Sequence, residues 1–246
     1  MTRPAANCQQ DQRRGLCRLV WFFDLDNTLH DASHAMFRAI DTRMTQYVQR
    51  HLQLDREAAD RLRRTYWQRY GATLLGLIRH HGVDPARFLR ETHDIDVASL
   101  LRAERGLQAL GRRIRGRKVL LTNAPLHYAG RVLRGIGWHR HIGSRYAVED
   151  MRVHGQIRPK PALSMLRAVL VREKLGGRFA AARAVLVDDN PANLKAARAA
   201  GFATVLVARH AKGQPRRLSG RSYAMGRISS IKQLPALAPR LRGAWH

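Results

Sequence analysis

The stretch that most limits what this chain can become runs Leu19-Val20-Trp21-Phe22-Phe23-Asp24-Leu25-Asp26-Asn27-Thr28-Leu29. Its opening apolar run, Leu19 to Phe23, is too short for an ordinary helix and predicts a strand buried on both faces. The run stops at two carboxylates one residue apart, then Asn and Thr, residue types that leave a strand for a turn. Turn formation alone can put Asp and Asn after any strand. A carboxylate at the end of a buried strand is nevertheless costly unless something pairs with it, so two of them point to a metal ion or a reaction.

A length of 246 residues allows one large domain or a core domain carrying an insertion. Hydrophobic content of 45% fits a folded chain and not a disordered one. No apolar run approaches the roughly 20 residues that cross a bilayer. Arg13-Arg14 ahead of Leu16 to Phe23 resembles a twin-arginine export signal, but Arg18 interrupts the run, Asp24 ends it and no small-residue cleavage site follows. Cys8 and Cys17 both precede the first strand, where a bridge would staple a tail, and two thiols are too few for a structural zinc site. A reduced, cytoplasmic protein is expected. The formal net charge of +27 comes overwhelmingly from Arg, spread along the chain without forming one block. Such a diffuse excess is a compositional habit more often than a nucleic-acid surface, yet it attracts phosphorylated small molecules over long range.

Residues 1–18 are polar and aperiodic, which predicts a flexible tail. From 32 to 101 the pattern is helical. Met36 or Phe37, Ile40, Met44 and Tyr47 recur at spacings of three and four; Ala58, Leu62, Tyr66 and Tyr70 follow behind a capping Asp55; Leu74, Leu75, Leu77 and Ile78 form a third apolar face. Asp84-Pro85 starts a further helix. With no strand signal in this segment, a helical module that packs against something else is expected. His80, His81 and His93 lack an acidic cluster at ligand spacing and are expected to be surface or capping residues.

Strand and helix alternate from there on: a helix over 104–114, a strand Lys118 to Asn123, a helix opened by Pro125, a weaker strand over 142–148, a helix after Arg158-Pro159-Lys160-Pro161, a strand Ala184 to Val187 ending at Asp188-Asp189-Asn190-Pro191, a helix to Ala200 stopped by Gly201, and a strand Phe202 to Val207. This order predicts an α/β fold: a doubly wound, Rossmann-like parallel sheet covered on both faces, built from 19–31 and 102–246 with the helical segment inserted. Residues 208–246 read as a basic C-terminal extension, with a polar loop over 210–220, an edge strand at Ile228 and a terminal helix interrupted by Pro235 and Pro239.

Ligands of an open parallel sheet lie at the carboxyl ends of its strands. Asp24 and Asp26, Thr122 and Asn123, and Asp188 and Asp189 all fall there, and Lys160 can reach the same edge. Carboxylates hold a hard cation such as Mg²⁺. A cation and an ammonium neutralise a phosphoryl group, a hydroxyl and backbone N–H groups bind its oxygens, and one carboxylate can attack phosphorus.

Asp24-Leu25-Asp26-Asn27-Thr28-Leu29, Thr122-Asn123, Lys160 and Asp188-Asp189-Asn190-Pro191-Ala192-Asn193 resemble, in order and spacing, the four motifs of the haloacid dehalogenase (HAD) superfamily. The segment 32–101 is similar to the helical cap of one of its subgroups. Phe23 to Leu29, Tyr70-Gly71-Ala72-Thr73-Leu74-Leu75-Gly76-Leu77, His81 to Pro85 and His93-Asp94-Ile95-Asp96 resemble pyrimidine 5′-nucleotidases. The resemblance implies a Mg²⁺-dependent phosphatase acting on a nucleoside monophosphate, with Asp24 as nucleophile and metal ligand. Asp26 is then the general acid and base and a metal ligand through its carbonyl, Thr122 and Asn123 bind phosphate, and Lys160 pairs with the nucleophile and the phosphoryl group. Asp189 is implied to bind the metal directly, with Asp188 behind it or reaching the ion through water. A departing halide needs no proton and a departing alkoxide does, so Asp26 favours phosphoryl chemistry over dehalogenation. Asp26 is accordingly expected to have a higher pKa than Asp24. A phosphosugar phosphatase or mutase shares this motif set, and a basic nucleic-acid-binding protein with a degenerate site is the alternative from another class. Tyr66, Trp67, Tyr70, Arg63, Arg64 and Arg69 are candidates for contacting a substrate, although aromatics at helical spacing more often belong to a core.

Overall fold

A computed structural model of the chain describes residues 19–177, 181, 183–208 and 223–243. The expected tail with Cys8 and Cys17, and the loop over 210–220, lie outside the described residues. The apolar run forms strand β1 (Val20–Phe23), and every residue of it is buried. Strand periodicity divides its side chains: Trp21 and Phe23 enter the core on one face of the sheet, Val20 and Phe22 the core on the other. This two-sided burial explains why the run shows no polar alternation.

Beside β1 lie β2 (Arg117–Leu121), β3 (Ser144–Tyr146), β6 (Ala184–Asp188), β7 (Ala203–Val207) and β8 (Gly226–Ile228), in the order β3-β2-β1-β6-β7-β8 and all parallel. The order reverses at β1, whose carboxyl end therefore borders the crevice of a doubly wound sheet. Helices α6 (Leu107–Arg113), α7 (Leu126–Gly135) and α10 (Leu234–Gly243) contribute to the core that holds Trp21 and Phe23. Helices α8 (Leu163–Arg172) and α9 (Pro191–Ala200) cover the opposite face. Asn190 caps α9 by accepting from Ala192 N–H at 2.9 Å, Pro191 occupies its first turn, and Gly201 ends it at φ +103°, a left-handed conformation natural to glycine.

Between β1 and α6 five helices are inserted: α1 (Met36–Leu52), α2 (Arg56–Tyr70), α3 (Thr73–His81), α4 (Pro85–Thr92) and α5 (Val97–Leu100). Asp55 and Asp84 cap α2 and α4 as the sequence predicts. The helices enclose a separate core around Tyr47, Val48, Tyr66, Leu77 and Phe88, which also takes in Val148 and Ile157 from the other part of the chain. Among the described residues no helix is long and apolar enough to cross a membrane.

Four details differ from the sequence pattern, and one is that the terminal helix α10 runs from Leu234 to Gly243 without interruption at Pro235 or Pro239. The helix expected over 104–114 is confined to Leu107–Arg113, because Gly106 begins it at φ +77°. Pro125 sits just before α7 and not within its first turn. A two-stranded ribbon, β4 (Arg152–Val153) and β5 (Gln156–Ile157), turns at His154-Gly155, both with positive φ. Strands this short show no alternation, and only the turn residues could have marked them.

Candidate active site

Asp24 continues β1 by donating its N–H to Val187 O at 3.0 Å, which fixes it beside the end of β6. The loop beyond is tied to itself: Asn27 adopts φ 58° and brackets Ser33, donating from Nδ2 to Ser33 Oγ at 2.9 Å and accepting Ser33 N–H at 3.0 Å. Lys160 lies in the segment before α8 rather than in the helix. Asn123 brackets its backbone, accepting Lys160 N–H at 2.9 Å and donating to Lys160 O at 3.0 Å. The amide of Asn123 is thereby committed to holding the lysine in place. The hydroxyl oxygen of Thr122 accepts Ala124 N–H at 3.1 Å.

The buried Lys160 ammonium lies between two buried carboxylates, 2.7 Å from Asp24 Oδ1 and 2.7 Å from Asp188 Oδ2. Asp188 is further engaged by Asn190 N–H at 2.8 Å and by Asn193 Nδ2 at 3.0 and 3.1 Å. Asp24, Asp188 and Asp189 place carboxylate oxygens within 4.8 Å of one another. A convergent, all-oxygen donor set of three carboxylates suits a hard divalent cation such as Mg²⁺. Six of the residues singled out in the sequence, Asp24, Asp26, Asn123, Lys160, Asp188 and Asp189, thus join one hydrogen-bonded or charge-coupled group at one sheet edge, and Thr122 follows β2 beside them.

Electrostatics follow from this crowding. Burial raises the Asp24 carboxyl well above the usual range; Lys160 pulls it down, and the like charges of Asp188 and Asp189 push it up again. Asp189 is lifted to about 6 by burial and by Asp188. Lys160 is held above its ordinary value: burial works against its charge, but Asp188 and Asp24 outweigh burial. Asp26 moves the other way. Burial raises its carboxyl, yet the hydrogen bonds of His30 and Tyr128 bring it below the ordinary value. The expected order of Asp24 and Asp26 is therefore reversed. Burial, with the added repulsion of Asp188 and Asp189, raises Asp24, whereas Asp26 has two donors of its own.

Those donors were not singled out by the sequence pattern. His30 Nε2 is 2.8 Å from Asp26 Oδ1, and the Tyr128 hydroxyl donates to the same oxygen at 2.8 Å. His30 stands four residues after Asp26, a spacing that offered a local hint; Tyr128 is 102 residues away and offered none. His93 caps the end of α4 as expected, but it is buried against Tyr128, with ring centroids 5.6 Å apart. Burial lowers its imidazole to about 4 against the pull of Asp26. His80 and His81 are exposed and pair with Tyr70 and Tyr66 through their Nε2 atoms. Tyr66 packs on Gly76 within the helical core, Arg63 is paired with Asp41 at 2.8 Å and Arg64 with Asp60 at 3.4 Å. Trp67 is largely exposed, and Arg69 lies over the Tyr70 ring.

Comparison with known proteins locates this arrangement. Phosphate metabolism protein 8 of Saccharomyces cerevisiae is 25% identical over a 199-residue alignment that covers 77% of this chain and 61% of the yeast protein. The chain thus matches less than two thirds of that relative's length. A HAD phosphatase from Thermococcus onnurineus superposes with a TM-score of 0.58 at 18% identity, over 90% of this chain and 97% of its own. The L-2-haloacid dehalogenase of Xanthobacter autotrophicus, with chloropropionic acid covalently bound, gives 0.53 at 16% identity, over 90% and 98%. At such identities the likeness concerns the fold, and one fold here carries two chemistries. The family model for haloacid dehalogenase-like hydrolases matches residues 20–201, a span holding every member of the acidic centre and Lys160. The chain belongs to the haloacid dehalogenase-like hydrolases.

Proposed function

We propose that this hydrolase is a Mg²⁺-dependent phosphatase that cleaves phosphoric monoesters through an aspartyl-phosphate on Asp24, with pyrimidine nucleoside 5′-monophosphates as its substrates. The observation that carries the reading is the second carboxylate, Asp26, on the same loop as Asp24 and independently hydrogen-bonded. Displacing a halide leaves such a group without a task, whereas expelling an alkoxide requires it. Asp24, Asp189 and the backbone carbonyl of Asp26 would hold the metal, with Asp188 behind them because its oxygens already accept from Lys160, Asn190 and Asn193. Bound there, Mg²⁺ would supply positive charge against the phosphoryl oxygens.

An Asp24 oxygen forms the bond to phosphorus while the ester P–O bond breaks, and the departing oxygen takes a proton from Asp26. Asp26 then removes a proton from water, whose oxygen attacks phosphorus and frees Asp24 and inorganic phosphate. Lys160 pulls the Asp24 carboxyl toward its ionised form against burial and adds charge against the phosphoryl group. The Thr122 hydroxyl hydrogen and the backbone N–H of Asn123 donate to phosphoryl oxygens. An arriving phosphoryl dianion raises the proton affinity of Asp26 by like-charge repulsion, so its acid form belongs to the complex and not to the free protein. The nucleotide preference rests on the likeness of Tyr70 to Leu77 and His93 to Asp96 to that subgroup. Residues 32–101 act as the cap that contacts the leaving group.

The test is phosphate release from a panel of nucleotides and sugar phosphates, with and without Mg²⁺. Metal-dependent release, highest for pyrimidine monophosphates and lost in Asp24→Asn, is expected. An isomerised sugar phosphate in place of free phosphate would identify a mutase. Undiminished release by Asp24→Asn would refute the mechanism.

A further inference from the structure

Asp26 is gripped on one side only. His30 Nε2 and the Tyr128 hydroxyl both meet Oδ1, each at 2.8 Å. His30 and Tyr128 are themselves 3% and 0% exposed, so neither is a surface side chain resting there by chance. The other nitrogen of His30, Nδ1, is buried with no hydrogen-bond partner. The ring therefore has one polar task, to donate from Nε2 to Asp26. The Tyr128 ring is in turn confined from three directions. His30 stands edge-on at 6.5 Å, His93 edge-on at 5.6 Å, and Met36 Sδ lies 3.0 Å from the hydroxyl. His93 is fixed by the contact of its Nδ1 with Thr92 Oγ1 at 2.9 Å and by Arg131, which donates to the carbonyls of His93 and Ile95. The loop after β1, helix α7 and the inserted helices thus meet around one carboxylate oxygen.

A carboxylate that transfers a proton needs one oxygen free for the task and the other held, or rotation of the group displaces the transferring atom. We infer that His30 and Tyr128 are positioning residues that anchor Oδ1 of Asp26 and so make Oδ2 the oxygen that exchanges a proton with the leaving group and then with water. The inference rests on the acid–base role given to Asp26 above. Neither residue touches the substrate. Their effect is on where the proton is delivered, and its size is that of a misplaced general acid, about 10²-fold.

The leaving group provides a readout that general damage to the fold would not reproduce. A nitrophenolate departs without a proton, whereas the alkoxide of a nucleoside 5′-monophosphate does not. Tyr128→Phe and His30→Leu are expected to lower kcat/KM on a nucleoside monophosphate by about 10- to 100-fold, while kcat/KM on p-nitrophenyl phosphate, which reports the steps up to nitrophenolate departure and not the shared hydrolysis of the aspartyl-phosphate, changes by less than about threefold. His30→Gln, whose side-chain amide carries an N–H near the place of Nε2–H, is expected to recover most of the loss. If His30→Leu does not fold, Tyr128→Phe decides alone, because it removes one oxygen and keeps the ring in place. Equal losses on both esters, or no loss on either, would overturn the inference, provided that Asp26→Asn still separates the two esters. If Asp26→Asn does not separate them, the acid–base assignment itself is wrong and this inference falls with it.

Discussion

Asp189 offers the sharpest test of how the acidic centre is balanced. It is the half-buried member of three carboxylates, and burial together with Asp188 lifts its carboxyl from an ordinary 3.8 to about 6. A raised carboxyl pKa in the folded state means that folding is easiest with the proton on. Below the unfolded value that stability is fully present, and it is lost as pH climbs through about 6. The climb corresponds to about 3 kcal/mol at about 1.4 kcal/mol per tenfold change in proton affinity. Asp189→Asn keeps the shape and removes the titration. In chelator, its melting temperature should match wild type near pH 4 and exceed it above pH 6 by about 6–12 °C, given about 2–4 °C per kcal/mol for a chain of this size. Saturating Mg²⁺ should reverse the order, because the cation stabilises the wild-type trio by mass action and the amide weakens its hold. Calorimetry or dye-monitored melting across that pH range, with and without Mg²⁺, measures both. An Asn variant less stable than wild type in chelator at neutral pH, or a difference independent of pH, would refute the electrostatic reasoning.

Two further perturbations follow from the same geometry. Lys160→Met leaves Asp24 and Asp188 buried without their shared ammonium, and urea unfolding at neutral pH should show a loss of about 3–5 kcal/mol that shrinks as falling pH neutralises the carboxylates. Gly76→Ala would drive a methyl group into the Tyr66 ring, so the α2–α3 contact must open, and thermal unfolding should register a loss of about 1–3 kcal/mol.

Much of this molecule is local in origin, and the local part could be read from residues alone. The strand Val20 to Phe23, the caps Asp55 and Asp84, the Asn190-Pro191 helix start and the Gly201 stop each depend on the few residues beside them. Their alternation implied the parallel sheet and placed Asp24, Thr122, Asn123, Lys160, Asp188 and Asp189 along one edge, because strands of a parallel sheet all end on the same side. The tertiary structure decided what the edge residues do to one another. Asn123 turned its amide to the backbone of Lys160, Asp188 filled its oxygens with donors, and His93 went inside against Tyr128. The proton affinities of Asp24 and Asp26 reversed for the same reason. A carboxyl pKa is set by every charge and donor within a few ångströms, and Tyr128 reaches Asp26 across 102 residues of chain. Spacing along the sequence names the groups at the end of β1; the charges and hydrogen bonds brought there by folding determine which of them holds a proton.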